Sequence, residues 1–111
     1  MPGLVDHNAI LARLEAVIAE RRQGDPVASY VARLNAKGTA KIAQKVGEEA
    51  VETVIAAMAG DRAGLVGEAA DLLFHLIVLL DAQGVPLGEV MAELERREGT
   101  SGIAEKAART S

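Results

Sequence analysis

The chain has 111 residues, half of them hydrophobic and a quarter charged, which fits one compact domain with a single core. Sixteen acidic against twelve basic side chains leave a net charge of −4, so no broad positive surface exists to neutralise a nucleic-acid backbone. Cysteine is absent, which excludes disulfides, thiolate zinc sites and cysteine nucleophiles together.

The aromatic residues are Tyr30 and Phe74, and alanine is abundant, a mixture that suits closely packed helices. In the first segment Ile10, Leu14, Val17 and Ile18 recur at helical spacing, with Asp6 or Asn8 as N-cap and Gly24 as the stop. After Asp25-Pro26, a short helix carries Tyr30, Val31 and Leu34 and ends before Gly38, where Thr39 offers the next N-cap. A long helix runs from Ala40 to Ala59, with Ile42, Val46, Val51, Val54, Ile55 and Met58 spread along it. Gly60-Asp61 closes it, and a fourth helix follows from Ala63 to Gln83, ending at Gly84.

The second half of that fourth helix is apolar nearly all round and must be covered on most sides, which predicts burial in a homodimer interface. Its most apolar run, Leu72 to Leu80, is shorter than the roughly 20 residues of a membrane span and is interrupted by His75, so it reads as core. Pro86 suits position N1 of a fifth helix carrying Leu87, Val90, Met91 and Leu94 and stopping before Gly99. The remainder, residues 100–111, is small and basic and is expected to form a mobile tail. No segment alternates with period two, so no strands are expected. The predicted fold is all-α: a single domain over residues 1–111, a bundle of about five helices around a long antiparallel hairpin, completed by dimerisation. Residues 1–6 lack the basic start and apolar run of an export signal, so a cytoplasmic location is expected, with neither membrane nor nucleic acid as partner.

Two carboxylate pairs stand at i, i+3 spacing, Glu49 with Glu52 and Glu68 with Asp71. In an antiparallel hairpin turning at Gly60, residues at equal height have a constant sum of residue numbers. That sum is 120 for Glu52 with Glu68 and 120 again for Glu49 with Asp71. The four acids are therefore level, about 12 to 17 Å from the tip. Equal height leaves the azimuth of each helix open. Four carboxylates converging between packed helices would repel one another, which either raises their pKa values or calls for a cation. The all-oxygen donor set favours Mg²⁺, with Mn²⁺ as a possible substitute. A di-iron site would want Glu-x-x-His elements, which neither pair supplies. His75, four residues after Asp71, reads as a packing or supporting residue.

The string from Lys45 through Gly47-Glu48-Glu49 to Glu52, followed by Glu68 and Asp71, resembles the EExxE and ExxD signature of the all-α, MazG-type nucleotide pyrophosphohydrolases. Asp25-Pro26, Ser29-Tyr30, Lys37-Gly38, Asp71 to His75, and Arg97 through Ser101-Gly102 to Glu105-Lys106 and Arg109 narrow the resemblance to the phosphoribosyl-ATP pyrophosphohydrolase family of histidine biosynthesis. Phe74 stands where many members carry tyrosine, a departure that touches no metal ligand.

That resemblance implies hydrolysis of phosphoribosyl-ATP to phosphoribosyl-AMP and pyrophosphate, with Mg²⁺ held by Glu49, Glu52, Glu68 and Asp71. Glu48 points about 100° away from Glu49 around the helix and becomes the candidate to orient or deprotonate the attacking water. Lys45 is positioned to reach phosphate, and Arg97, Ser101, Lys106 and Arg109 are candidates for holding the phosphoribosyl phosphate. A cysteine-free chain of this length has no room for the zinc-dependent cyclohydrolase that acts next, so one step is expected. Two alternatives accompany this reading: a broader nucleoside triphosphate pyrophosphohydrolase, and a non-catalytic helical dimerisation module.

Overall fold

The computed structural model describes residues 7–99, and within them the side chain of Asn8 is not described. Five helices follow in chain order: α1 (His7–Arg21), α2 (Tyr30–Lys37), α3 (Thr39–Met58), α4 (Arg62–Ala82) and α5 (Leu87–Arg97). Among the described residues there is no strand, as the lack of period-two patterning predicts.

The α3–α4 hairpin is the spine of the molecule. Its tip closes α3 with a left-handed glycine, Gly60 at φ 69°: Gly60 N donates to Ala57 O at 3.2 Å and Asp61 N to Ala56 O at 3.0 Å. Asp61 then begins α4 directly, its side chain accepting from Gly64 N at 2.9 Å. Gly84 ends α4 in the same way, with Val85 N donating to Leu80 O at 2.9 Å.

Several helix starts differ from the sequence expectation by a residue or two, each for a local reason. Asn8 lies inside α1 and is not its cap, while Asp6 falls outside the described residues. Ser29 caps α2, its Oγ accepting from Ala32 N at 3.2 Å. Thr39 is the first residue of α3 and not its cap; its hydroxyl accepts from Gln83 Nε2 at 2.9 Å and so ties the two ends of the hairpin together. Pro86, extended at ψ 143°, precedes α5 instead of opening it, and the free N–H of Leu87 is taken by Glu15 Oε2 of α1 at 2.6 Å.

The core sits at the base of the hairpin. Ile18 of α1, Val31 and Leu34 of α2, Ile42 of α3, and Ile77 and Val78 of α4 are buried together, with Leu11, Leu14, Phe74 and Leu87 packed around them. Ile42 and Val78 obey the same residue-number sum of 120 as the acids, so one register runs from the base to the tip. Helices α1 and α2 cover only this lower half. Beyond it Val51, Val54, Ile55 and Met58 on α3, and Val66 and Leu73 on α4, are exposed, Met58 to 83%. The α3 pattern therefore continues past the point where the described residues cover it. The Cα radius of gyration, 16.4 Å, exceeds the roughly 13 Å of a compact chain this long, as expected when half of the spine has no cover among the described residues.

Taken whole, α4 is long and apolar enough to cross a membrane by length and composition, although its run Leu72–Leu80 alone is not. Midway along it, Glu68 and Asp71 meet Glu49 of α3.

Candidate functional site

The levelling of the acids becomes a real convergence. Carboxylate oxygens of Glu49, Glu68 and Asp71 all lie within 4.8 Å of one another, where the middle of α3 meets the middle of α4. Glu49 is buried, Glu68 half-buried and Asp71 exposed, so the trio forms a cradle closed on one side and open on the other. Glu52 stands exposed at its rim, within hydrogen-bonding reach of both Glu49 and Glu68.

The electrostatics are those of carboxylates forced together. Hydrogen bonding with Glu52 and Glu49, then partial burial and their charge, push Glu68 up to about 7. Burial opposes the charge of Glu49, yet its hydrogen bonds with Glu68 and Glu52 and the nearby Lys45 ammonium hold its carboxyl below the ordinary range. The cluster thus keeps one proton, on Glu68, to near neutrality.

Two of its oxygens, Glu49 Oε2 and Glu68 Oε2, are buried with no hydrogen-bond donor among the described residues. Leaving such atoms unsatisfied is unfavourable, a deficit that a proton or a cation removes. An all-oxygen donor set with two orphaned buried oxygens fits a hard divalent cation.

A pH dependence follows from Glu68. Its carboxyl in the folded protein holds a proton up to about 7, whereas in the unfolded chain it releases it near the ordinary value of 4.5. The folded state therefore binds more protons across that interval, and stability falls as pH rises through it. The lowered groups, Glu48, Glu49 and Glu93, act below about 4.5 and leave this window clear. Melting temperatures of metal-free protein between about pH 5 and 7.5 are expected to decline, and millimolar Mg²⁺ is expected to abolish the decline. A flat or rising metal-free profile would contradict it.

Lys45 lies one turn before the acids, with Nζ 3.4 Å from Glu48 and 3.5 Å from Glu49. Glu48 is not among the acids that meet: its carboxylate accepts from Gln44 Nε2 at 2.7 Å and from Lys45, and these bonds hold it below the usual carboxylate range. Glu48 and Glu52 also line a shallow cleft with Gln44, Gly47, Val51 and Ile55.

Arg97 is elsewhere. On α5 its Nε donates to Glu93 at 3.1 Å, and it lines a separate cleft with Val85, Val90 and Leu94. Glu93, bonded to Arg96 and Arg97, is driven down to about 2 and stays ionised beside them. Ser101, Lys106 and Arg109 lie outside the described residues.

Sequence reasoning gave no site role to Tyr30, whose hydroxyl lies 2.7 Å from Nε2 of the buried His75. The available signal was the i, i+4 spacing of Asp71 and His75 together with the scarcity of aromatic residues.

Fold and site together define an all-helical protein with a carboxylate cradle between two antiparallel helices. The phosphoribosyl-ATP pyrophosphohydrolase family model matches residues 11–98. A phosphoribosyl-ATP pyrophosphatase of Novosphingobium aromaticivorans is 76% identical over 106 residues, 96% of this chain and 99% of its own length. Those of Rhizorhabdus wittichii and Zymomonas mobilis are 73% and 64% identical, each over 89% of this chain and over 93% and 92% of their own lengths. The chain belongs to the phosphoribosyl-ATP pyrophosphohydrolase family.

Proposed function

We propose that this chain hydrolyses phosphoribosyl-ATP to phosphoribosyl-AMP and pyrophosphate, the second step of histidine biosynthesis. The observation that carries the reading is the meeting of Glu49, Glu68 and Asp71 within 4.8 Å in a chain of this family. Water adds across the anhydride between the α and β phosphates, and pyrophosphate leaves.

Glu49, Glu68 and Asp71, with Glu52 at the rim, would hold Mg²⁺, for which Mn²⁺ is a possible substitute. When bound, the cation offsets the charge of the triphosphate and of the departing pyrophosphate. Glu68 must give up its proton for this, so binding strengthens as pH rises towards 7.

Glu48 is held ionised by Gln44 and Lys45, which makes it an acceptor that orients the attacking water. Lys45 straddles two carboxylates at 3.4 and 3.5 Å and offers its ammonium to an arriving phosphate on the same side. Arg97, Ser101, Lys106 and Arg109 are proposed to hold the phosphoribosyl phosphate. For Arg97 this means sharing a guanidinium already bonded to Glu93.

We further propose that the chain is a single cytoplasmic domain that works as a homodimer. The support is the exposed apolar half of the hairpin, next to which Glu52 sits.

The test is pyrophosphate release by purified protein with and without Mg²⁺, offering phosphoribosyl-ATP beside ATP and dNTPs. Phosphoribosyl-ATP is expected to give the highest specificity constant, and chelation is expected to abolish release. Preference for an ordinary triphosphate would replace this reading with the broader pyrophosphohydrolase, and no release from any substrate would leave the dimerisation module.

A further inference from the structure

Tyr30 opens α2, and Val31 and Leu34 fasten that helix into the core. From there its hydroxyl reaches across to His75 Nε2 at 2.7 Å, while His75 Nδ1 lies 2.8 Å from the backbone oxygen of Asp71. A carbonyl oxygen only accepts, so Nδ1 carries a ring proton, and Nε2 is left to take the hydrogen donated by Tyr30. Phe74 steadies the pair, meeting the His75 ring edge-on at 5.2 Å and stacking on Tyr30 at 6.1 Å. His75 is 5% exposed and Tyr30 39%, so the link runs from the surface to the buried side of α4.

We propose that Tyr30 and His75 are positioning residues that set the rotation of α4 about its own axis and hold Glu68 and Asp71 towards Glu49 before a cation arrives. At about 100° per residue, His75 lies about 40° around the helix from Asp71 and about 20° from Glu68. Fixing the direction of His75 therefore fixes theirs. The need for such a tie comes from the acids themselves. Mutual repulsion of Glu49, Glu52, Glu68 and Asp71 acts to roll α4 or splay the hairpin, and above their level neither α1 nor α2 covers the spine. The hydrogen bond to Tyr30 and the stacked rings pin α4 to α2 just below that level, which lowers the ordering needed when the site is filled.

The proposal rests on the reading of these acids as a divalent-cation site, and the experiment separates the two. Mn²⁺ binding to the full chain is titrated by electron paramagnetic resonance, without substrate, for wild type, Tyr30→Phe, His75→Asn and a core control, Ile18→Val. Tyr30→Phe and His75→Asn are expected to raise the Mn²⁺ dissociation constant about 3- to 10-fold, the scale of one lost hydrogen bond. In Tyr30→Phe the Mg²⁺ concentration for half-activation should rise in parallel, with kcat at saturating Mg²⁺ within about twofold of wild type. Ile18→Val should lower the melting temperature and leave Mn²⁺ affinity unchanged. The ¹⁵N resonances of the His75 ring should report a neutral imidazole protonated at Nδ1, with Nε2 shifting in Tyr30→Phe. Wild-type Mn²⁺ affinity in a folded Tyr30→Phe or His75→Asn overturns the positioning role alone. Failure of wild type to bind Mn²⁺ overturns the cation site and the proposal with it.

Discussion

Replacing Glu49 by glutamine is expected to lower kcat/KM by about 100-fold or more while leaving helical content intact and the metal-free melting temperature little changed or slightly lower. Glu49 is 6% exposed, and in spite of that burial its hydrogen bonds with Glu68 and Glu52 and the Lys45 ammonium 3.5 Å away hold it ionised. Glutamine keeps the shape and a hydrogen-bonding side chain but gives up the attraction to Lys45. What it cannot do is bind a hard cation as a carboxylate does, and in phosphoryl chemistry that electrostatic contribution is the larger part of catalysis. Asp71→Asn should behave alike in activity, with little change in stability because Asp71 is exposed. Pyrophosphate release and thermal melts with and without Mg²⁺ check both. Full activity in either variant would remove that residue from the ligand set.

Ile55→Glu is expected to halve the solution mass and cut activity at least tenfold. Ile55 is 60% exposed in the single chain, in line with Val51 and Met58 on the uncovered part of α3. If two copies mate through this surface, the substitution buries a carboxylate opposite apolar side chains, which few interfaces tolerate. Activity should follow because Ile55 lies one turn beyond Glu52 and lines the same cleft as Glu48 and Glu52. Light scattering should find wild type at twice the 11.6 kDa of one chain and the variant at that single mass. A wild-type protein that is already monomeric would end the dimer proposal.

How much of this could be read in the sequence varies by element. Helix existence followed from apolar spacing punctuated by Gly24, Gly38, Gly60, Gly84 and Gly99, because left-handed or helix-breaking positions are local properties. Helix starts were less legible, since Thr39, Asn8 and Pro86 all look like openers and the outcome depends on partners such as Gln83 and Glu15 from distant segments. The height of the acids was legible as arithmetic. Their facing was not, because azimuth depends on how α2 and α1 pack against the hairpin. The apolar spacing of α3 likewise said which residues avoid water and nothing about where cover ends, which is why Val51, Val54, Ile55 and Met58 continue the pattern of Ile42 and yet stand exposed in the single chain.

Two rungs kept level across a turn at Gly60 also make chain length at the tip a quantised property. One residue added to α3 between Glu52 and Met58 changes the register of the two arms by about 1.5 Å and about 100°. Seven residues added to each arm return every side chain to within about 20° of its former direction and simply move the turn outward. Insertions in this part of the molecule are thus compatible with the cradle only as matched near-whole numbers of turns, heptads among them, whereas the segments joining α1 to α2 and α4 to α5 carry no such restriction.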